Sequence, residues 1–211
     1  MEIRLIRHFA TEGNLEKRYI GVTDEEIKAE CVLEHTLKKE ENGREEWKPE
    51  LVIVSPLRRC RQTAEILFPG AEQVVCEQMR ECDFGLFEGK NYQELTGNPK
   101  YQSWIDSGGT KAFPGGEDPQ EFRDRACQGF LEGLKICAED RAESAAFVVH
   151  GGIIMAVLER FAETKKEFYE WHVGNGCGYE AEVNLEWMEG EGENPVLRVI
   201  TAIQQIGRAH V

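Results

Sequence analysis

Apolar positions along this chain fall into two patterns: short dense runs, and longer stretches where they recur every three or four residues. Ile3 to Ile6, Leu51 to Val54 and Ala145 to Val149 are dense runs of the length expected for strands buried on both faces. Val74 to Cys76 is a shorter strand candidate. The periodic stretches predict helices. One runs from Glu25 to about Glu40 with Ile27, Cys31, Val32 and Leu37 on its buried side, Asp24 as N-cap, and Glu25 and Glu26 in the first turn. A second spans Leu57 to Phe68, with Pro56 near the first helical position, where its missing N–H costs nothing. A third spans Pro119 to about Glu139, with Phe122, Ala126, Phe130, Leu134 and Cys137 as a stripe. A fourth spans Ile153 to Phe161. At the end, Tyr179 to Trp187 and Val196 to Ile203 predict a hairpin around the Glu/Gly-rich turn at Glu189 to Asn194.

Strands alternating with helices predict an α/β fold, a three-layer α/β/α sandwich with a mostly parallel central sheet. No repeat, low-complexity tract or linker interrupts the sequence, so residues 1–211 are expected to form a single domain. The interval from Asp83 to Pro119 fits neither pattern. It is rich in glycine, proline and aromatics, and long irregular stretches in compact domains are usually functional, so it is expected to be lid-like.

Composition narrows the class. No run of about 18 apolar residues is present, and Met1-Glu2-Ile3-Arg4 does not open a secretory signal, so a cytoplasmic protein with no membrane partner is expected. The seven cysteines (Cys31, Cys60, Cys76, Cys82, Cys127, Cys137 and Cys177) are odd in number and scattered without zinc-site spacing. They read as reduced core residues. A formal net charge of −14 argues against nucleic acid as a partner. It also means that an anion could be held only where cations are concentrated in one cleft.

Such a concentration is visible where the dense runs end. Ile3 to Ile6 stops at Arg7-His8-Phe9-Ala10-Thr11-Glu12-Gly13-Asn14. Leu51 to Val54 leads into Ser55-Pro56-Leu57-Arg58-Arg59-Cys60-Arg61, and Ala145 to Val149 into His150-Gly151-Gly152. Ligands of open α/β sheets bind at the carboxyl ends of the strands. Any one of these junctions alone is an ordinary strand end. Three of them would bring two imidazoles and several guanidiniums to one edge, a pocket suited to a tetrahedral dianion. Glycines after His150 would let backbone N–H groups of a helix start approach an anion.

These motifs together resemble the histidine phosphatase superfamily, also called the phosphoglycerate mutase-like family. Arg7-His8-Phe9 with Thr11 and Asn14 is similar to its opening motif, and Ser55 to Glu65 to its second. Arg80-Glu81-Cys82-Asp83-Phe84-Gly85-Leu86-Phe87-Glu88-Gly89 is similar to its acid–base block, and Val149-His150-Gly151-Gly152 to its second-histidine motif. The resemblance covers Ile3 to about Tyr179 and implies a phosphoglycerate mutase-like fold. It implies His8 as nucleophile and Glu81 as proton donor and acceptor. Arg7, Arg59 and His150 would hold the phosphate, with Asn14 as a further donor. No metal and no cofactor are implied. A neutral His8 needs an acceptor for its second nitrogen, which the sequence does not identify. Phe9 departs from the family, which usually has glycine there. The expectation is an altered pocket wall with the charged site intact.

Two kinds of enzyme share such motifs. Mutases carry a longer insert after the acid–base glutamate, whereas the stretch after Glu81 is short and resembles the phosphatase branch. Tyr101-Gln102-Ser103-Trp104, Phe113-Pro114-Gly115-Gly116-Glu117, Phe122-Arg123, Trp171-His172-Val173 and Asn175-Gly176-Cys177 are similar to α-ribazole phosphatases of cobalamin synthesis. The expected substrate is a small phosphorylated metabolite. Phosphoglycerate mutase-type transfer, a broad-specificity sugar phosphate phosphatase, and a non-catalytic binding module are the alternatives. Trp104 or Tyr101 could stack on a base or belong to the core. Monomer and homodimer are both left open.

Overall fold

In the computed structural model, residues 1–33, 47–185 and 194–203 are described. The dense runs become strands Glu2–Arg7 (β1), Leu51–Val54 (β2), Gln73–Val75 (β3) and Ser144–Val149 (β4), and the hairpin gives Gly178–Val183 (β5) and Leu197–Ile203 (β6). They pair in the order β3-β2-β4-β1-β5-β6. The first four are mutually parallel, whereas β5 runs antiparallel to both β1 and β6. Gly178 makes the β1–β5 pairing possible, because a Cβ there would collide with the Leu5 carbonyl. The predicted turn at Glu189 to Asn194 falls almost wholly outside the described residues.

Alternation along the strands separates two faces. Val52, Val54, Ala146 and Val148 pack with Cys60 and Ala64 of helix α2 (Arg58–Leu67), α1 being the single turn Glu12–Leu15. Ile53, Ala145, Phe147 and Val149 face the larger core, with Phe130 and Leu134 of α5 (Pro119–Glu139) and Ile153 to Leu158 of α6 (Gly151–Phe161). Helices on both faces of one sheet make the three-layer sandwich. All seven cysteines are outside disulfides, and five of them are buried.

Two boundaries differ from the sequence pattern. Asp24 does not cap a helix beginning at Glu25; the helical turn starts at residue 29, and its continuation lies outside the described residues. Residues 24–28 are instead irregular, with one isolated bridge at Ile27, and partners elsewhere satisfy part of their backbone. Ile27 bridges Thr11, its N–H reaches Gln62 at 3.0 Å, and the Lys28 N–H reaches the Ala10 carbonyl at 2.9 Å. The Asp24 carboxylate accepts from the Arg58 N–H at 2.7 Å, so it serves the start of α2, whose own N-cap Leu57 supplies no side-chain acceptor. Pro56 therefore stands just before the cap.

The irregular interval holds two short helices, Tyr92–Leu95 (α3) and Pro99–Asp106 (α4), capped by Asn91 and Asn98. Tyr19, Phe84, Phe87, Tyr101, Trp104 and Phe113 hold it to the body with ring centroids 5.0 to 6.3 Å apart. Tyr101 and Trp104 stack on one another and pack on the main core.

Candidate active site

Sheet register sets the site. Arg7 lies opposite Val149 and Val54 opposite Val148, so the residues that follow, His8, His150 and Ser55, leave adjacent strands side by side. The His8 N–H reaches the Val149 carbonyl at 3.0 Å, and the two imidazoles stand edge to face, centroids 5.2 Å apart. Both are buried.

His8 Nδ1 lies 2.6 Å from the carbonyl of Phe9. A carbonyl can only accept, so the proton sits on Nδ1 and Nε2 keeps its lone pair. This is the acceptor the sequence does not reveal. Burial pushes the His8 pKa well below its usual value, and the charges of Arg59 and Arg7 push it further, against the weaker upward pull of the Phe9 carbonyl. His150 is lowered in the same way, first by burial and then by Arg59. Its Nε2 is 2.7 Å from Ser55 Oγ, and Cys60 Sγ lies against the ring.

Of the arginines at the second junction, only Arg59 enters the cleft. Arg58 is exposed and pairs with Glu26, and Arg61 is exposed. Arg59 is fully buried, with Nη1 on the Thr23 carbonyl and Nη2 on the Gly21 carbonyl, both at 2.8 Å. Arg7 gives Nη1 to the Val173 carbonyl at 2.7 Å. On both, Nε is buried without a partner. Unpaired buried nitrogens are also found on Arg4, Trp104 and Trp171; Arg7 and Arg59 stand apart in lying close enough to His8 and Glu81 to act on their charge. Asn14 Oδ1 accepts from Asn175 Nδ2 at 3.1 Å and from the Thr11 N–H at 3.3 Å, which leaves Nδ2 as its donor end.

Glu81 reaches the same cleft from the loop after β3. Its oxygens accept from the Cys82 N–H at 3.0 Å and the Gly152 N–H at 3.2 Å. The first turn of α6 therefore does serve an acceptor, and that acceptor is the Glu81 carboxyl group. A Cβ on Gly152 would lie 2.5 Å from Glu81 Oε1 and 2.8 Å from Phe122, so this approach needs glycine. Burial raises the Glu81 pKa above the usual carboxylate value, against the pull of those N–H groups and of Arg59 and Arg7.

Phe9 is as enclosed as the neighbouring His8, Arg59 and His150. Its side chain is 1% exposed, among the largest fully buried in the chain. It is also absent from the positive-φ residues, which among described non-glycines are Lys17 and Arg141, so no glycine-only conformation is required. Its N–H is held by Thr63 Oγ1 at 2.9 Å, tying the loop after His8 to α2.

Several contributors carry no readable sequence signal. Asn175 Nδ2 and the Gly176 N–H bind the His8 carbonyl, so the segment after Val173 closes behind the strand end. Glu88 accepts from the N–H groups of Gly21, Val22 and Phe84 and from Thr23 Oγ1. It thereby fixes the loop whose carbonyls orient Arg59. Both stand within quoted motifs, but only tertiary contacts show what they hold.

Two buried imidazoles, two guanidiniums and a carboxyl group thus gather at the carboxyl edge of a parallel sheet, a set of groups suited to phosphoryl transfer. The sequence profile of the histidine phosphatase superfamily (branch 1) matches residues 3–192, and the chain belongs to that superfamily. Membership makes it an enzyme of phosphatase or mutase type. Phosphatase PhoE of Bacillus subtilis (strain 168), itself uncharacterized, is 26% identical over 175 residues, 82% of this chain and 83% of that protein. Among solved structures, a phosphoglycerate mutase from Thermus thermophilus is 27% identical with a TM-score of 0.66, covering 96% of this chain and 98% of its own. The α-ribazole phosphatase from Shigella flexneri has a TM-score of 0.75 at 20% identity, covering 100% of both chains, a likeness of fold.

Proposed function

We propose that this protein is a phosphomonoesterase that works through a phosphohistidine at His8 and releases phosphate from a small phosphorylated metabolite. The observation that carries the reading is the opposed tuning of His8 and Glu81. Their usual pKa values, 6.5 and 4.5, would leave the imidazole protonated and the carboxyl ionised between them. Here the first is pushed down and the second up, which favours the neutral base beside the protonated acid.

His8 Nε2 attacks phosphorus in line and the bond to the leaving oxygen breaks. Arg7, Arg59 and His150 hold the equatorial oxygens, with Asn14 as a further donor. Glu81 gives its proton to the departing alcohol, then takes one from the water that cleaves the phosphohistidine. Each of these roles is filled by a side chain of the protein, and none is assigned to a metal.

For the substrate, α-ribazole phosphate is the specific candidate, on the strength of the quoted motifs. The likeness to the Thermus thermophilus phosphoglycerate mutase favours a second reading, transfer to another acceptor. A panel of phosphomonoesters including α-ribazole phosphate, sugar phosphates and phosphoglycerate separates them. Free phosphate from one small ester is expected. Label moving onto a second acceptor with no free phosphate would establish the mutase instead.

A further inference from the structure

The five N–H donors of Arg125, on the first turns of α5, are all engaged. Nε and Nη2 meet the two oxygens of Glu117 at 2.7 and 2.8 Å. Nη1 reaches the carbonyls of Gln78 and Arg80 at 2.6 and 2.9 Å, and Nη2 approaches that of Glu81 at 3.4 Å. Glu117 completes the ring by accepting from the Asp83 N–H at 3.3 Å, while its own N–H binds the Asp83 carbonyl at 2.9 Å. One ion pair thus grips the main chain on both sides of Glu81. Both members are largely enclosed, with side-chain exposures of 14% and 13%. Close docking supports the grip: a Cβ on Gly129 of α5 would already touch Gln78 and Met79 at 3.0 Å.

We propose that Arg125, together with Glu117, is a positioning pair for the proton donor. It fixes the backbone from which Glu81 reaches the leaving group and leaves phosphate binding alone. Arg7 and Arg59 hang on carbonyls of residues 21, 23 and 173, none of which the pair touches. The guanidinium is suited to this because its rigid fork meets a carboxylate bidentately and still spans several carbonyls, which a lysine cannot do. The inference rests on the phosphomonoesterase reading, with Glu81 as acid.

The test compares kcat/KM for p-nitrophenyl phosphate, whose leaving group departs without help, and an alkyl phosphate such as glycerol phosphate, whose alkoxide needs a proton. Arg125→Lys and Glu117→Gln should cut the alkyl rate on the order of 10²-fold while changing the aryl rate by less than about threefold. Inhibition by inorganic phosphate should stay within the same small factor. Glu81→Gln should lose the alkyl rate at least as far, and adding Arg125→Lys to it should cost that rate little more. Should Arg125→Lys fail to fold, Glu117→Gln alone decides, since its amide keeps an acceptor for Asp83. Equal loss on both substrates, weakened phosphate inhibition, or no loss at all would overturn the proposal. If the unaltered enzyme releases no phosphate from either ester, it is the phosphomonoesterase reading that fails.

Discussion

At the scale of single residues, the two imidazoles make the site depend on pH in a defined direction. His8 and His150 have folded pKa values below the usual 6.5, so their contribution to stability is complete above that pH. As the pH falls below it, the unfolded chain takes up protons that the native state refuses, and stability declines by up to about 1.4 kcal/mol per pH unit for each imidazole. Glu81 acts the other way. Its raised pKa adds a cost as the pH rises from 4.5 toward the folded value. Denaturant unfolding on either side of pH 6.5 should therefore show a steeper acid loss in the unaltered protein than in one carrying His8→Asn and His150→Asn. Parallel pH profiles for the two would show that the buried imidazoles are not held neutral. Phe9 belongs to this scale as well. Sequence marks it as a departure beside His8, yet its carbonyl fixes the His8 tautomer and its ring is enclosed.

Among elements, the junction between β4 and α6 illustrates how a helix start is shared. His150 ends the strand side, Gly151 passes close to Arg7, and the Gly152 N–H holds Glu81. Gly152→Ala would force the new methyl against Glu81 Oε1 and Phe122. The expected result is a fall in kcat/KM for alkyl phosphates on the order of 10²-fold with about 1–3 kcal/mol lost from stability. Full activity in that variant would mean that the carboxylate does not need its place on α6. Much of this architecture is legible in the sequence, for a physical reason. Strands buried on both faces, such as Leu51–Val54, must be continuously apolar, and a cation at the end of such a run stands out. Helix α5 is equally readable, since its stripe faces one core and Asp118 caps it. The stretch after Asp24 departs from its pattern because helical spacing over a few residues cannot register that Thr11, Ala10 and Gln62 satisfy part of its backbone in an irregular form. Glu88, Arg125 and Asn175 are illegible for the same reason. Each acts through main-chain groups far away in sequence, and main-chain partners leave no trace in residue type.

On the scale of the whole molecule, a chain of net charge −14 gathers an anion site by geometry. Parallel register places Arg7 and the two imidazoles at one edge, α2 delivers Arg59 to them, and the loop after β3 brings Glu81 against α6. Elsewhere the cations are neutralised by carboxylates, as with Arg4 and Glu180, Arg18 and Glu94, and Arg160 and Asp124. Arg7 and Arg59 differ in binding main-chain carbonyls through their Nη atoms, which leaves their charge beside His8. On the proposed reading, the phosphoryl group rests on His8 before water receives it. Rapid quenching during turnover of a radiolabelled phosphomonoester, followed by peptide mapping, tests this directly. Acid-labile, alkali-stable label on His8, absent from a His8→Ala variant that also fails to release phosphate, is the predicted result. Label on another residue, or undiminished phosphate release by His8→Ala, would contradict it.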